Sequence, residues 1–249
     1  MGGVPRKIHI LRFIIEQRVV TLDDIHGYLG SENHTDSIRV TLYQIGASHI
    51  KYGKLPNGVW YVNDSKSIEL LKAYHRDFPW LCTRRIPLHF IPHALGINRI
   101  RIILEQTPCF KIDAWWSETY IRALTPRMRF GISLAKIPDA IFWRLRSDGS
   151  RQKFFLEYER TLKSKSRYLE LFQYYANRND VINRNVLYIC ENETIKEELE
   201  RIEEFLVKSG KLESSGLYFQ FITLDGFCQQ YLSLIKQKGE TKCENLINT

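Results

Sequence analysis

Residues Lys136 to Lys165 read KIPDAIFWRLRSDGSRQKFFLEYERTLKSK, and their hydrophobic period decides the fold. Lys136 to Arg146 alternates loosely and is rich in Ile, Phe, Trp and Leu, which predicts a strand opening at Asp139. Ser147-Asp148-Gly149-Ser150 predicts a turn, and Gln152 to Glu159 a second strand. Side chains alternate faces along a strand, so Glu157 and Glu159 point one way and Phe154, Leu156 and Tyr158 the other. A carboxylate on an otherwise apolar strand loses its hydration unless it is paired or bound to a cation. A hairpin brings Asp139 alongside both glutamates. Three converging carboxylates suit a hard, oxygen-seeking ion, Mg2+ or Mn2+, which also grips phosphate. Taken alone, a Glu-x-Glu strand is equally what a solvated edge paired with Arg160, Lys163 or Arg144 would carry; the elements around it favour the site.

Working outward, Ala94 to Gln106 has Leu95, Ile97, Ile100, Ile103 and Leu104 at helical spacing, and Lys111 to Thr119 reads as a strand. Leu162 to Asn177 reads as a helix with Leu162, Leu169, Phe172 and Ala176 on one side, and Asn185 to Cys190 as a short buried strand. Thr194 to Lys208 is a charged helix, Gly216 to Leu224 a strand with Leu217, Phe219 and Phe221 alternating, and Phe227 to Lys236 a last helix. Residues 238–249 read as a frayed tail. The order is helix, three strands, helix, strand, an α/β arrangement.

The N-terminal segment differs in kind. Arg6 to Gln17 has helical apolar spacing through Ile8, Leu11, Ile14 and Ile15. Thr21 caps a short helix through Leu29, and Thr35 or Asp36 caps a third through Ala47. Two strand-like runs around Asn57-Gly58 follow, which completes a winged helix-turn-helix layout. Its third helix would enter a major groove with Ser37, Arg39, Thr41, Tyr43 or Gln44, while Lys51 and Lys54 on the wing would meet phosphates. The same layout also serves protein contacts. A net charge of +8 favours a polyanionic partner, moderated by 28 acidic residues.

The 249 residues, 44% hydrophobic, suffice for two modest cores. The reading gives domains at 1–76 and 77–237 with a boundary near Arg76 to Pro79. No apolar run is long enough to span a bilayer, and no secretory leader opens the chain, so a cytosolic protein is expected. The five cysteines (Cys82, Cys109, Cys190, Cys228 and Cys243) lie far apart without a CxxC pair, which argues against a zinc site or a disulfide frame. All seven histidines lie at or before His93, and none forms a His-x-His pair, which excludes the usual two-histidine single-strand nuclease. His89 and His93 have metal-like spacing, but Pro92 is expected to interrupt the helix that spacing requires. The acidic run near 196–204 reads as a solvated helix face.

At Pro138-Asp139 and Glu157-x-Glu159 the chain resembles the PD-(D/E)xK restriction-endonuclease-like superfamily, over about Pro92 to Cys190. The resemblance implies that Asp139 and Glu157 are metal ligands, with the Tyr158 carbonyl as a third. Glu159 stands where a lysine usually does and would orient or deprotonate the attacking water. Lys163 or Lys165 would supply the missing cation. Together with the winged helix, PHALGINRIRIIL at 92–104 and WWSE at 115–118, the chain is similar to the MOBC family of plasmid mobilization relaxases, also grouped as replication-relaxation proteins. His93, Asn98 and Glu118 match its accessory motifs, with Glu118 near the site. The family implies magnesium- or manganese-dependent nicking of one strand of plasmid DNA at an origin of transfer. Its partners would be double-stranded plasmid DNA with a locally melted nick region, and accessory mobilization and coupling proteins. The nucleophile would be water or one of Tyr158, Tyr168, Tyr174 and Tyr175. Two other readings stay open: a DNA-binding regulator on a catalytically dead scaffold, and a double-strand restriction-type nuclease.

Overall fold

The computed structural model of the protein describes residues 5–30, 33–46, 49–53, 58–61, 65–74, 86–107, 110–124, 136–177, 184–212 and 217–236. Its elements are α1 (Arg6–Gln17), β1 (Val20–Thr21), α2 (Leu22–Leu29), α3 (Thr35–Ile45), β2 (Lys51–Gly53), β3 (Val59–Tyr61), α4 (Ser65–Lys72), α5 (Ile91–Gln106), β4 (Ile112–Ser117), α6 (Glu118–Ala123), β5 (Ala140–Leu145), β6 (Arg151–Glu159), α7 (Lys165–Ala176), β7 (Arg184–Cys190), α8 (Glu193–Lys208), β8 (Leu217–Thr223) and α9 (Leu224–Lys236). They divide into two compact units, residues 1–102 with 119–129 and residues 103–118 with 130–249. The boundary expected near Arg76 to Pro79 and the tail at 238–249 lie outside the described residues. Among the described residues no helix is long and apolar enough to cross a membrane.

In the first unit the stripe on α1 is buried as its spacing predicts, and packs with Ile25 of α2 and Ile38, Leu42 and Ile45 of α3. Thr21 caps α2 in a reciprocal box: the Asp24 N–H donates to the Thr21 hydroxyl at 3.0 Å, and the Thr21 N–H to the Asp24 carboxylate at 2.7 Å. The cap of α3 differs from expectation. Thr35 and Asp36 lie inside the helix and His34 precedes it without a side-chain cap. β1, β3 and β2 form a three-stranded antiparallel sheet.

Residues 91–102 of α5 belong to this unit, and polar groups hold them there. The Asn98 amide donates to the Val19 carbonyl at 2.7 Å and to Asp24 at 3.2 Å. Arg101 donates to Glu16 at 2.8 Å. Pro92 does not interrupt α5, contrary to expectation. It occupies the first turn, where the missing N–H has no helical acceptor to lose. His89 sits before α5 in a separate 3-10 turn, Leu88–Phe90.

The second unit is built on a five-stranded mixed sheet in the order β4-β5-β6-β7-β8. β4, β5 and β6 pair antiparallel, while β6, β7 and β8 run parallel. The β5–β6 turn closes at Gly149, whose φ of 80° favours glycine, and the Ser150 N–H donates to the Asp148 side chain at 2.7 Å. One face stacks Trp115 on Phe142 and Phe142 on Phe154, covered by Phe110 and by Tyr231 of α9. The other face carries Phe155, Glu157 and Glu159, covered by Tyr168, Phe172 and Tyr175 of α7.

Two sequence-based bounds are corrected here, and one helix is added. The strand expected through Thr119 ends at Ser117, and α6 begins at Glu118. α4 has no counterpart in the sequence reading. α7 starts at Lys165 instead of Leu162, and its buried stripe is Tyr168, Phe172 and Tyr175. Leu162, expected to be buried, is 46% exposed.

Candidate active site

Pro138 and Asp139 act first on the edge of the hairpin. The β5–β6 register pairs Ala140 with Leu156, so one further residue would set Asp139 against Glu157 and the next Pro138 against Tyr158. Pro138 has no N–H, the ladder stops, and the Asp139 side chain takes over. The Tyr158 N–H donates to the Asp139 carboxylate at 2.8 Å, which fixes that carboxylate beside the residue next to Glu157. On its other side, the Asp139 carbonyl accepts the Glu118 N–H at 2.9 Å. The Glu118 backbone therefore lies against Asp139 although Glu118 opens a helix.

Glu157 is 7% exposed and accepts a hydrogen bond from the Tyr175 hydroxyl. Burial, and next the charge of Asp139, push its carboxyl well above the usual carboxylate range, while the Tyr175 bond and the charge of Lys163 oppose this. Glu159 is held differently. One oxygen pairs with the Lys163 ammonium and the other accepts from the Tyr168 hydroxyl at 2.8 Å. The Tyr168 oxygen also accepts the Lys163 N–H at 3.1 Å, which ties the loop ahead of α7 to the same spot.

Of the two lysines considered, Lys163 faces the acids. The Lys165 ammonium lies 4.7 Å from the Phe205 ring centroid. The tyrosines sort as well. The hydroxyls of Tyr168 and Tyr175 donate to buried carboxylates, and Tyr158 donates to Glu191. Burial raises the pKa of all three phenols, opposite to what a phenolate nucleophile needs. Tyr174 packs its ring on Tyr175 at 5.6 Å and beneath Lys136 at 5.7 Å.

Tyr188 escaped the sequence reading. It opposes Glu157 in the β6–β7 register, is fully buried, and its hydroxyl has no hydrogen-bond partner among the described residues. Glu157, Glu159 and Asp139 all raise its pKa, after burial. In the sequence it is one apolar-looking residue of NVLYIC; only the parallel register sets it beside the acids.

Comparison of the chain with protein-family models, curated proteins and solved structures finds no match. Among the described residues no three His, Cys, Asp or Glu side chains gather as a ready metal cage. The three-carboxylate convergence expected from the sequence narrows to a closely interacting pair, Asp139 and Glu157, with Glu159 drawn off by Lys163 and Tyr168.

The N-terminal candidates fall on one helix and one strand. Asp36, Ser37, Arg39, Val40, Tyr43 and Gln44 are exposed on α3, with Tyr43 at 89%. Arg39 pairs with Asp36 at 3.1 Å, and Ser37 accepts from Arg6 at 2.6 Å. Thr41 is corrected: it is buried and its hydroxyl donates to the Ser37 carbonyl at 2.9 Å, because helical period turns it toward the core beside Leu42. Lys51 is exposed on β2; Lys54 and Asn57 lie outside the described residues. Asn98 does structural work in the first unit.

Proposed function

We propose that the protein is a metal-dependent DNA endonuclease that nicks one strand of plasmid DNA at a transfer origin, as the resemblance to MOBC relaxases implies. The observation that carries it is the Asp139–Glu157 pair, two carboxylates set side by side where Pro138 ends the hairpin ladder, one of them raised in pKa by burial and next by the charge of the other. The order β4, β5, β6, α7, β7 supports a PD-(D/E)xK core, although α6 intervenes between the first two strands and residues 91–102 of α5 group with the first unit. The helices α1 to α3, followed by β2 and β3, support a winged helix.

The donor set fits a hard divalent ion. Asp139 and Glu157 would hold Mg2+ or Mn2+, since a shared cation relieves the repulsion that adds to burial in lifting the Glu157 pKa. Such an ion, when bound, lowers the pKa of an attacking water and stabilises charge on the phosphate. The chain's own side chains do the rest. The Tyr158 N–H orients Asp139, the Tyr175 hydroxyl orients Glu157, and Lys163 carries the positive charge that a lysine at position 159 would supply. The nucleophile in this reading is water or Tyr174, because Tyr158, Tyr168 and Tyr175 are committed as donors with raised pKa values. Exposed Arg39, Gln44 and Lys51 would meet the duplex.

The test incubates the protein with its supercoiled plasmid and Mg2+ or Mn2+, with and without chelator, beside Asp139→Ala and Glu157→Ala. Metal-dependent open circles lost in both variants support the reading. Binding by mobility shift without any cleavage leaves a regulator, and linear product a restriction-type enzyme.

A further inference from the structure

The eight residues that leave β6 read RTLKSKSR, Arg160 to Arg167, with four cations, three hydroxyls and no acid. They run from the strand that bears Glu157 and Glu159 into the first turn of α7. Thr161, Leu162, Ser164, Lys165, Ser166 and Arg167 are all exposed. Within the segment, Lys163 turns inward to Glu159, and Arg160 lies 3.9 Å from Glu191, the acid that also accepts from Tyr158. Lys165 and Arg167 face solvent. Across from Lys165, α8 presents Phe205, 45% exposed, with the Lys165 ammonium over its ring at 4.7 Å.

Exposed cations beside an exposed aromatic ring form a surface with a defined complement. The cations match a phosphate backbone, and the ring matches the π-face of a base. Only an unpaired strand offers both at once, since duplex bases are already stacked. We infer that Lys165, Arg167 and Phe205 form a docking surface for single-stranded DNA, leading the strand along the loop to the Asp139–Glu157 pair. The inference rests on the nuclease reading for its purpose, and binding can be measured without chemistry.

The test measures anisotropy of a labelled oligothymidylate, and of a duplex of equal length, in chelator over a range of salt. The probes are wild type, Lys165→Gln/Arg167→Gln and Phe205→Ala. Loss of two single-strand phosphate contacts lowers the slope of log affinity against log salt by about 1.4. Phe205→Ala weakens oligothymidylate by about tenfold with the slope unchanged, as loss of one stacked base does. Duplex affinity stays within twofold in both. Single-strand affinity and slope that survive the double variant overturn the inference, as does equal weakening of both DNAs. Arg167→Gln alone, with a smaller slope change of about 0.7, repeats the test at a solvent-facing position should Phe205→Ala fail to fold. Failure of nicking with these binding changes intact sinks the nuclease reading alone.

Discussion

The two units each bury carboxylates, and they do so in opposite ways. In the first, Glu16 is 2% exposed and meets two guanidinium groups, Arg12 at 2.7 Å and Arg101 at 2.8 Å. Arg101 also lies over the rings of Phe13 and Tyr28, at 5.4 and 5.5 Å. In the second, Glu157 is almost as buried but has a phenol for its donor and a second carboxylate for its neighbour. Charge matched by charge holds a helix in place. Charge set against like charge has no such benefit, and the Glu157 carboxyl holds its proton more tightly instead.

The largest effect that separates the two is on nicking. Glu157→Gln is expected to lower metal-dependent nicking by at least about 10³-fold, since the ion's contribution amounts to several kcal/mol, while the melting temperature does not fall. A nicking rate within tenfold of wild type removes Glu157 from the site. Next comes Arg101→Ala. It strips a buried carboxylate of its buried partner and is expected to lower stability by about 3–5 kcal/mol in a denaturant titration, with Arg12 moderating the loss. A cost below about 1 kcal/mol would put the Glu16 cluster among weak pairs.

A subtler contrast lies in pH. The Glu157 carboxyl has a raised folded pKa, so the folded state binds its proton more tightly than the unfolded chain does. Its contribution to stability is therefore present below the unfolded value of 4.5 and is lost as pH rises toward the raised folded value. Glu157→Gln should gain melting temperature relative to wild type as pH climbs from about 4.5 to 7. Added Mg2+ should stabilise wild type and not the variant at the upper end. Parallel pH profiles would break the contrast between the two units. The smallest effect is on α8, where Arg201 makes exposed pairs with Glu197 at 3.5 Å and Glu198 at 2.8 Å. Arg201→Ala is expected to change stability by less than about 0.5 kcal/mol, which sets the scale for charge pairs that water screens.

How much of this was legible depends on the range of each signal. The β5–β6 hairpin was legible, because period two and the Asp148-Gly149 turn are local. So was the shared face of Glu157 and Glu159. α4 and α6 were not, being eight and six residues long and too short for a periodic stripe to stand out. Of the residues expected on the apolar side of α7, Phe172 lies in its buried stripe and Leu162 does not. Apolar spacing favoured Leu162 and Leu169, yet the helix turns Tyr168 and Tyr175 inward, because their hydroxyls reach carboxylates on a neighbouring strand.

By itself the sequence determined the local grammar: a Pro-Asp that ends a ladder, a glutamate pair on one face, a capped helix after Thr21. Only the tertiary structure decided which acids meet each other and which meet a cation. Glu157 and Glu159 are alike in sequence, two residues apart on one strand. One sits by Asp139 and the other by Lys163 because register and helix rotation set those neighbours, and the energy of a buried charge depends on what lies within a few ångströms.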